Sequence, residues 1–280
     1  MTTVSEIVEQ QRANWNKFSA GWKKWDALTM KMLRPAGEAI LEAAGLQETD
    51  HVLDLASGTG EPGLTAAGIV KKGKVLAFDL SEGMIAVANE NARARGLANF
   101  ESRTGSAEKT GEKNDSFDVA LCRFGFMFFP DIPAAAKELH RVLKPGGRLV
   151  AAVWSDPENN PWATTVAGVI NEYVSIPQPP PGAPGLFRCA GKDFLPEHLR
   201  AAGFRDVSAK EIKWETPFES PETYWTFMSE VAQPVVAGLA KADEPTREKI
   251  RRTVFERTSK NVRNGSLHLN YGSWIVEGRK

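Results

Sequence analysis

The sequence predicts an α/β fold: a seven-stranded, mostly parallel sheet with helices on both faces, a helical segment before it and helical insertions after its fifth strand. Three observations lead there. Short apolar runs alternate with helical stretches between residues 51 and 154, and glycine-rich turns join them. The alternation stops at Trp154, where prolines crowd in. Strands alternating with helices of roughly 10–15 residues indicate parallel pairing, because a parallel crossover needs about that much chain to return.

Before the sheet, Val4, Ile7, Val8, Trp15, Phe18, Trp22 and Trp25 recur at helical spacings within residues 1–34 and share one broad apolar face. A second helix is expected after Pro35, through Ala39, Ile40, Leu41 and Ala44 to a Gly45 cap. His51–Ala56 reads as the first strand, followed by the loop Ser57–Gly63 and a helix over Leu64–Val70. Lys74–Asp79 is the second strand, and Ser81 caps a helix running to Arg95. Asn99–Thr104 and Ser116–Cys122 are the third and fourth strands. A helix over Ile132–Leu143 and the turn Lys144–Gly147 lead to the fifth, Arg148–Trp154.

Ten of the 17 prolines fall between residues 157 and 221, including Pro177 and Pro179–Pro181, which forbids continuous sheet there. That stretch reads as loop and short helix laid over the sheet. A helix over Leu195–Ala202, a strand over Asp206–Trp214, helical residues 221–263 and a closing strand over Ser266–Val276 complete the chain. The expected division is 1–50 as a helical lid, 51–154 as a ligand-binding core, and 155–280 as cap insertions plus the last two strands.

Composition narrows the function classes. Lys+Arg and Asp+Glu both number 35 in 280 residues, so the basic footprint of a phosphate-tracking protein is missing and nucleic acid is not the expected partner. Cys122 and Cys189 are too few for a disulfide framework, and with four scattered histidines they give no zinc-like spacing, so no metal is expected. The polar start MTTVSEIVEQQ lacks the apolar core of a secretory signal, and no apolar run reaches the roughly 18–20 residues of a membrane span. A cytoplasmic protein acting on a small molecule is the expectation, with a homodimer left open. Eight tryptophans exceed the three or four that about average usage would give, and seven of them lie outside residues 51–153 by more than one position.

The segment Val52-Leu-Asp-Leu-Ala-Ser-Gly-Thr-Gly60 carries the chemistry. An acidic residue near the strand end and small residues at 56, 58 and 60 let the backbone turn tightly under a ligand. Gly58-Thr-Gly-Glu-Pro-Gly63 fits G-x-G-x-x-G, and Asp79 follows about 20 residues on, as a dinucleotide fingerprint also requires. The pattern alone leaves a nicotinamide enzyme and other nucleoside binders open. Asp54 tips the choice, because it would repel a pyrophosphate and stabilise a cationic amino-acid moiety. So do the amphipathic helices before the first strand, and the closing strand where a second mononucleotide half would otherwise stand.

Asp54–Gly60, Asp79–Met84, Gly105-Ser-Ala-Glu108, Phe117–Leu121 and Arg141–Gly147, in that order and spacing, resemble the motifs of class I S-adenosylmethionine-dependent methyltransferases. The similarity is strongest to the ubiquinone/menaquinone-biosynthesis-like, type 11 small-molecule branch, which has a Rossmann-like sheet. The resemblance implies S-adenosylmethionine as cofactor. It implies that Asp54 and the backbone of Ala56, Ser57, Gly58 and Gly60 hold the methionine portion, and that Asp79 accepts the ribose hydroxyls. Leu80 and Met84 would pack the adenine, and Ser106, Ala107 and Glu108 would line its edge. Cys122 and Arg123 would lie near the transferable methyl, with Trp22 in a lid over the cofactor. Two residues depart from the pattern: Ala56 stands where relatives carry Gly, and Ser106 where they carry Asp. The added methyl implies an ordinary φ at Ala56, and the uncharged Ser106 a weaker grip on the adenine amine.

The acceptor pocket is expected around Phe124, Phe126 and Met127, because strand ends in open α/β sheets face the ligand crevice. Trp154, Trp162 and Trp225 are expected there too. With Phe187, Phe194, Trp214 and Phe227 they suggest an aromatic, quinone-like or polyketide-like acceptor. His198 and His268 are the only weak candidates for a catalytic base, while His51 and His140 read as structural. Asp79 also suits a plain helix cap, and the tryptophan stripe also suits helix-packing core. Two other functions stay open: a non-methylating reaction that uses the S-adenosyl group, and an NAD-dependent oxidoreductase.

Overall fold

The computed structural model describes residues 4–175, 180 and 182–280; Pro177, Pro179 and Pro181 lie outside the described residues. The chain forms two compact units. The first comprises residues 1–155, 183–212 and 273–280, and the second residues 156–182 and 213–272.

The first unit is built on a sheet whose order is β3-β2-β1-β4-β5-β8-β6. Its strands are β1 (His51–Leu55), β2 (Lys74–Asp79), β3 (Phe100–Thr104), β4 (Phe117–Arg123), β5 (Leu143–Trp154), β6 (Arg205–Phe218) and β8 (Ser266–Arg279). β1 to β5 pair in parallel, and β8 runs antiparallel to β5, with Trp154 opposite Ser273. The central strands β1 and β4 are buried apolar runs, as strands covered on both faces must be. Strand order reverses between β1 and β4, so a crevice opens beyond their C-terminal ends. The seven expected strands are all present. An eighth, the two-residue β7 (Val262–Arg263), pairs with β8 in the second unit.

Helices cover the sheet for local reasons. Ser81 caps α4 (Glu82–Ala94) by accepting the Met84 N–H at 3.1 Å, and Asp131 caps α5 (Ile132–Val142) by accepting that of Ala134 at 2.9 Å. α3 (Gly63–Ile69) packs on β1 and β2, and α5 on β5 and on α7 (Phe194–Ala201). The N-terminal region is α1 (Val4–Lys24) followed by α2 (Asp26–Ala44).

That helical boundary corrects the expected one. The chain breaks at Trp25 and passes through Pro35, which lies inside α2. A proline in a helix interior costs about 3 kcal/mol, but Met32, Leu33, Ala36, Gly37 and Ile40 are buried on a face that packs against β4 and β5. Tertiary burial outweighs the local penalty. The expected turn at Lys144–Gly147 is also absorbed into β5. Leu143 already pairs with Phe117, and the register shifts before Arg148 reaches Val119.

The second unit holds α6 (Pro161–Tyr173), α8 (Pro221–Val231), α9 (Gln233–Leu239) and α10 (Glu244–Thr258), with β7 and parts of β6 and β8. Asn160 organises it from a fully buried position. Its Oδ1 accepts from the Trp162 indole and from Gly272 N, both at 3.1 Å, while Nδ2 donates to Gly272 O at 3.0 Å. The Tyr271 ring stacks with Trp162 at 5.5 Å and with Trp214 at 5.4 Å.

Candidate active site

Asp54 lies in β1 between Ala77 of β2 and Leu121 of β4, one residue before the strand ends, and is fully buried. Its Oδ2 accepts the Gly63 N–H at 2.9 Å. A Cβ on Gly63 would lie 2.6 Å from that oxygen, so the last glycine of the loop exists to let the carboxylate reach the backbone. Oδ1 has no partner. Burial pushes the Asp54 carboxyl up to about 8, against the opposing pull of the Gly63 bond and the Arg123 guanidinium.

The loop then turns through Ala56 at φ +54°. This corrects the expectation of an ordinary φ. The chain must reverse directly from a buried strand into the loop, with Ser57 N donating to Phe78 O of β2 at 2.9 Å, and Ala56 takes the left-handed conformation that glycine adopts more cheaply.

At the end of β2, Asp79 accepts the Gly58 N–H on Oδ2 and the Ser81 N–H on Oδ1, both at 2.9 Å. It is not the cap of α4, which is Ser81; it ties the glycine loop to the neighbouring strand end. Burial raises its carboxyl above the ordinary range. Leu80 is partly exposed, whereas Met84, in the first turn of α4, is buried. Beyond β3, the Ser106 hydroxyl bonds the Glu108 carboxylate, which also accepts from Asp131 N at 3.3 Å. A carboxylate therefore stands beside Ser106 even though position 106 itself is uncharged, and Ala107 lies between them, partly exposed.

α1 and the start of α2 are held to these elements by polar contacts that the sequence reading missed. Asn16 Oδ1 accepts from the Ser81 hydroxyl at 2.6 Å and from Gly83 N at 3.3 Å. Lys23 pairs with Glu90 at 2.6 Å, and Thr59 donates to Asp26 at 2.7 Å. The available signal was a set of polar residues flanking the tryptophan stripe. On that stripe, Trp15 meets Trp22 and Phe128 edge-on at 6.1 and 5.1 Å, and the buried Trp22 Nε1 has no partner.

At the end of β4, Cys122 is fully buried, and burial drives its thiol far above the ordinary range, so it stays protonated. Arg123 follows, and then Phe124, at φ +59°, whose ring stacks on Trp154 at the end of β5 at 3.9 Å and 11°. Phe126 and Met127 are fully buried. Trp162 and Trp225 belong to the second unit, where Trp225 lines a cleft of about 620 Å³ between α8, α9 and α10. His198 is engaged with Phe194 O of its own helix at 2.8 Å. His268 lies 2.8 Å from Glu215, also in the second unit. Among the described residues no three His, Cys, Asp or Glu side chains are grouped to hold a metal, and no helix is long and apolar enough to cross a membrane.

The residues present fit an S-adenosyl group. Asp54 Oδ1, Ser57 Oγ and Trp22 Nε1 are buried without a protein partner around the glycine loop and the helix facing it. Buried polar atoms are normally satisfied, so the two orphans at the glycine loop, Asp54 Oδ1 and Ser57 Oγ, mark a place for a polar ligand. Sheet order, loop and acidic strand ends define a class I S-adenosylmethionine-dependent methyltransferase.

Comparison with known proteins agrees. A family model described as a methyltransferase domain matches residues 52–147. The demethylmenaquinone methyltransferase of Geobacillus kaustophilus is 30% identical over 189 residues, covering 62% of this chain and 78% of that enzyme. YcgJ of Bacillus subtilis shares the fold, with a TM-score of 0.59 at 20% identity over 88% of this chain and 98% of its own. A solved structure concerned with converting a disulfide bond into a thioacetal group during echinomycin biosynthesis aligns with a TM-score of 0.56 at 25% identity, over 88% of this chain and 81% of its own. The chain belongs to the S-adenosylmethionine-dependent methyltransferases of the ubiquinone/menaquinone type, and S-adenosylmethionine is its cofactor.

Proposed function

We propose that this methyltransferase acts on a small, largely apolar aromatic acceptor of quinone-like or polyketide-like character. The observation that carries this reading is the Phe124–Trp154 stack, two parallel rings 3.9 Å apart at adjacent strand ends on the crevice side of the sheet. A flat apolar wall favours a flat apolar substrate. The named activity of the Geobacillus relative, methylation of demethylmenaquinone, is of the same chemical class.

In this reading the bound cofactor supplies an electrophilic methyl on its sulfonium. Asp54 receives the methionine ammonium, and Asp79 the ribose hydroxyls on the lone pairs left by Gly58 and Ser81. Ser106, Ala107 and Glu108 receive the adenine edge, with Glu108 providing the charge that position 106 lacks. Trp22, Ser57, Gly60, Leu80, Met84 and Cys122 complete the enclosure. Alignment of donor and acceptor and exclusion of water carry the catalysis, a contribution worth roughly 7–11 kcal/mol at best.

Incubation with methyl-labelled S-adenosylmethionine and a panel of reduced naphthoquinones, catechols and hydroxylated polyketide-like aromatics tests the reading. Methylated product with stoichiometric S-adenosylhomocysteine is expected. Transfer confined to aliphatic amines, or conversion of an acceptor without S-adenosylhomocysteine, would refute it.

A further inference from the structure

Among the described residues Arg123 is a charge with no ion-pair partner, and its hydrogen bond runs from Nη2 to the thioether of Met30 at 3.7 Å. α2 makes room for it: a Cβ on Gly37 would lie 3.5 Å from Nη1. The guanidinium is only partly buried, so its remaining N–H groups are open to a ligand.

Asp54 shows the complementary deficiency. Opposite Leu121 in the β1–β4 register, it stands close to the end of β4 that Arg123 forms. Its Oδ1 is buried and unpartnered while Oδ2 is occupied by Gly63. The two side chains interact electrostatically without pairing, and Asp26 and Glu61 also face the guanidinium. Direct pairing would have consumed both groups; holding them apart leaves room for one ligand head that carries both signs. An α-amino acid head does, and its ammonium arriving at Asp54 Oδ1 favours the ionised form of that carboxyl. A neutral ligand would leave the guanidinium unmet, and an anionic one would leave Asp54 Oδ1 without a donor.

We propose that Arg123 grips the α-carboxylate of the cofactor's methionine moiety while Asp54 takes its α-ammonium, so that the pair reads the free amino-acid head of the ligand. The proposal rests on the cofactor assignment and adds a residue to it. The expected position of Arg123 near the transferable methyl becomes a position at the far end of the methionine chain. The acidic surroundings of the site favour the ligand's cationic groups, and Arg123 lets a carboxylate enter among them.

Calorimetric titration of the full chain with S-adenosylmethionine, decarboxylated S-adenosylmethionine and 5′-methylthioadenosine tests this directly. The wild-type chain is expected to prefer the carboxylate-bearing ligand about 10- to 100-fold, as loss of a charge-assisted contact implies. Arg123→Met should lose that preference and keep its affinity for 5′-methylthioadenosine, which also reports that the variant folds. Arg123→Lys should retain part of it. The proposal is overturned if Arg123→Met discriminates as the wild type does, or if the substitution weakens 5′-methylthioadenosine as much as it weakens S-adenosylmethionine. A wild-type chain that binds 5′-methylthioadenosine and S-adenosylmethionine equally well overturns the proposal alone; one that binds none of the three overturns the cofactor assignment with it.

Discussion

The methyl of Ala56 occupies the space that a side chain at Gly125 would need: a Cβ on Gly125 would fall 2.6 Å from Ala56 Cβ and 2.7 Å from Cys122 Sγ. Alanine at 56 fills that space, and the segment after β4 leaves the room by carrying glycine at 125. Gly125→Ala should therefore be destabilising, by about 1–3 kcal/mol as for overpacking in a close-fitting site. Ala56→Gly removes a side chain held at φ +54° and should be neutral or stabilising by up to about 1 kcal/mol. Combined, the two changes should be less destabilising than their sum, because the second removes one of the clashes created by the first. Urea unfolding of the four proteins measures the coupling; strict additivity would refute the contact.

That pair also marks where the sequence stopped being legible. β1, β2 and β4 could be read almost to the residue, because apolar runs bounded by glycine and charge leave few other conformations. Asp54, Asp79 and the loop could be read because their spacing is local. The left-handed Ala56 could not, since an isolated propensity favours the ordinary φ and only the surrounding strand ends force the other. Pro35 failed for the same reason, its helix being decided by burial against β4 and β5. Asn16 and Asp26 stood out only as polar residues beside the tryptophan stripe, because their partners Ser81 and Thr59 lie more than 30 residues away.

Asp54 predicts a pH dependence of stability. Its folded-state carboxyl titrates at about 8, raised by burial and by the neighbouring Glu61 and Asp79 and lowered by Gly63 N–H and Arg123. Between the ordinary carboxyl range and that value the folded chain holds a proton that the unfolded chain has released. Stability from this group is thus full in acid and is lost as pH rises, by about 1.4 kcal/mol per pH unit. Asp54→Asn should remove the slope, so that in the absence of cofactor the variant gains on the wild type steadily from pH 5 to pH 8. Parallel stability curves for the two proteins across that range would contradict the assignment.

Asn160 predicts a separation between the two units. Buried, it joins the Trp162 indole to both backbone groups of Gly272, all within the second unit. Asn160→Ala leaves a buried indole N–H and a buried peptide unsatisfied, at a cost of about 2–4 kcal/mol for the groups involved. Limited proteolysis should then cut first within residues 213–272, while S-adenosylhomocysteine affinity, which the proposed site assigns to residues of the first unit, should stay as in the wild type. Simultaneous loss of cofactor binding under native conditions would show that the two units do not unfold separately.

Ser106 and Glu108 predict how adenine is told from its deaminated form. The adenine amine donates a hydrogen bond; the corresponding oxygen of hypoxanthine only accepts. The Glu108 carboxylate, held against the Ser106 hydroxyl and Asp131 N, is an acceptor without protons to give. It should therefore favour S-adenosylhomocysteine over S-inosylhomocysteine, because the inosyl oxygen would face a charge of its own sign. An unmatched buried polar contact of this kind costs about 1–3 kcal/mol, or roughly 5- to 150-fold in affinity. Glu108→Gln keeps the shape and supplies an amide that donates as well as accepts, so discrimination should shrink mainly through improved binding of the inosyl ligand. Ser106→Asp would set two carboxylates side by side and should weaken both ligands unless Glu108 is changed with it. Paired titrations of the wild type, the two single variants and the double variant decide between this division of labour and an adenine edge read by Ser106 alone, in which Glu108→Gln would leave the preference untouched.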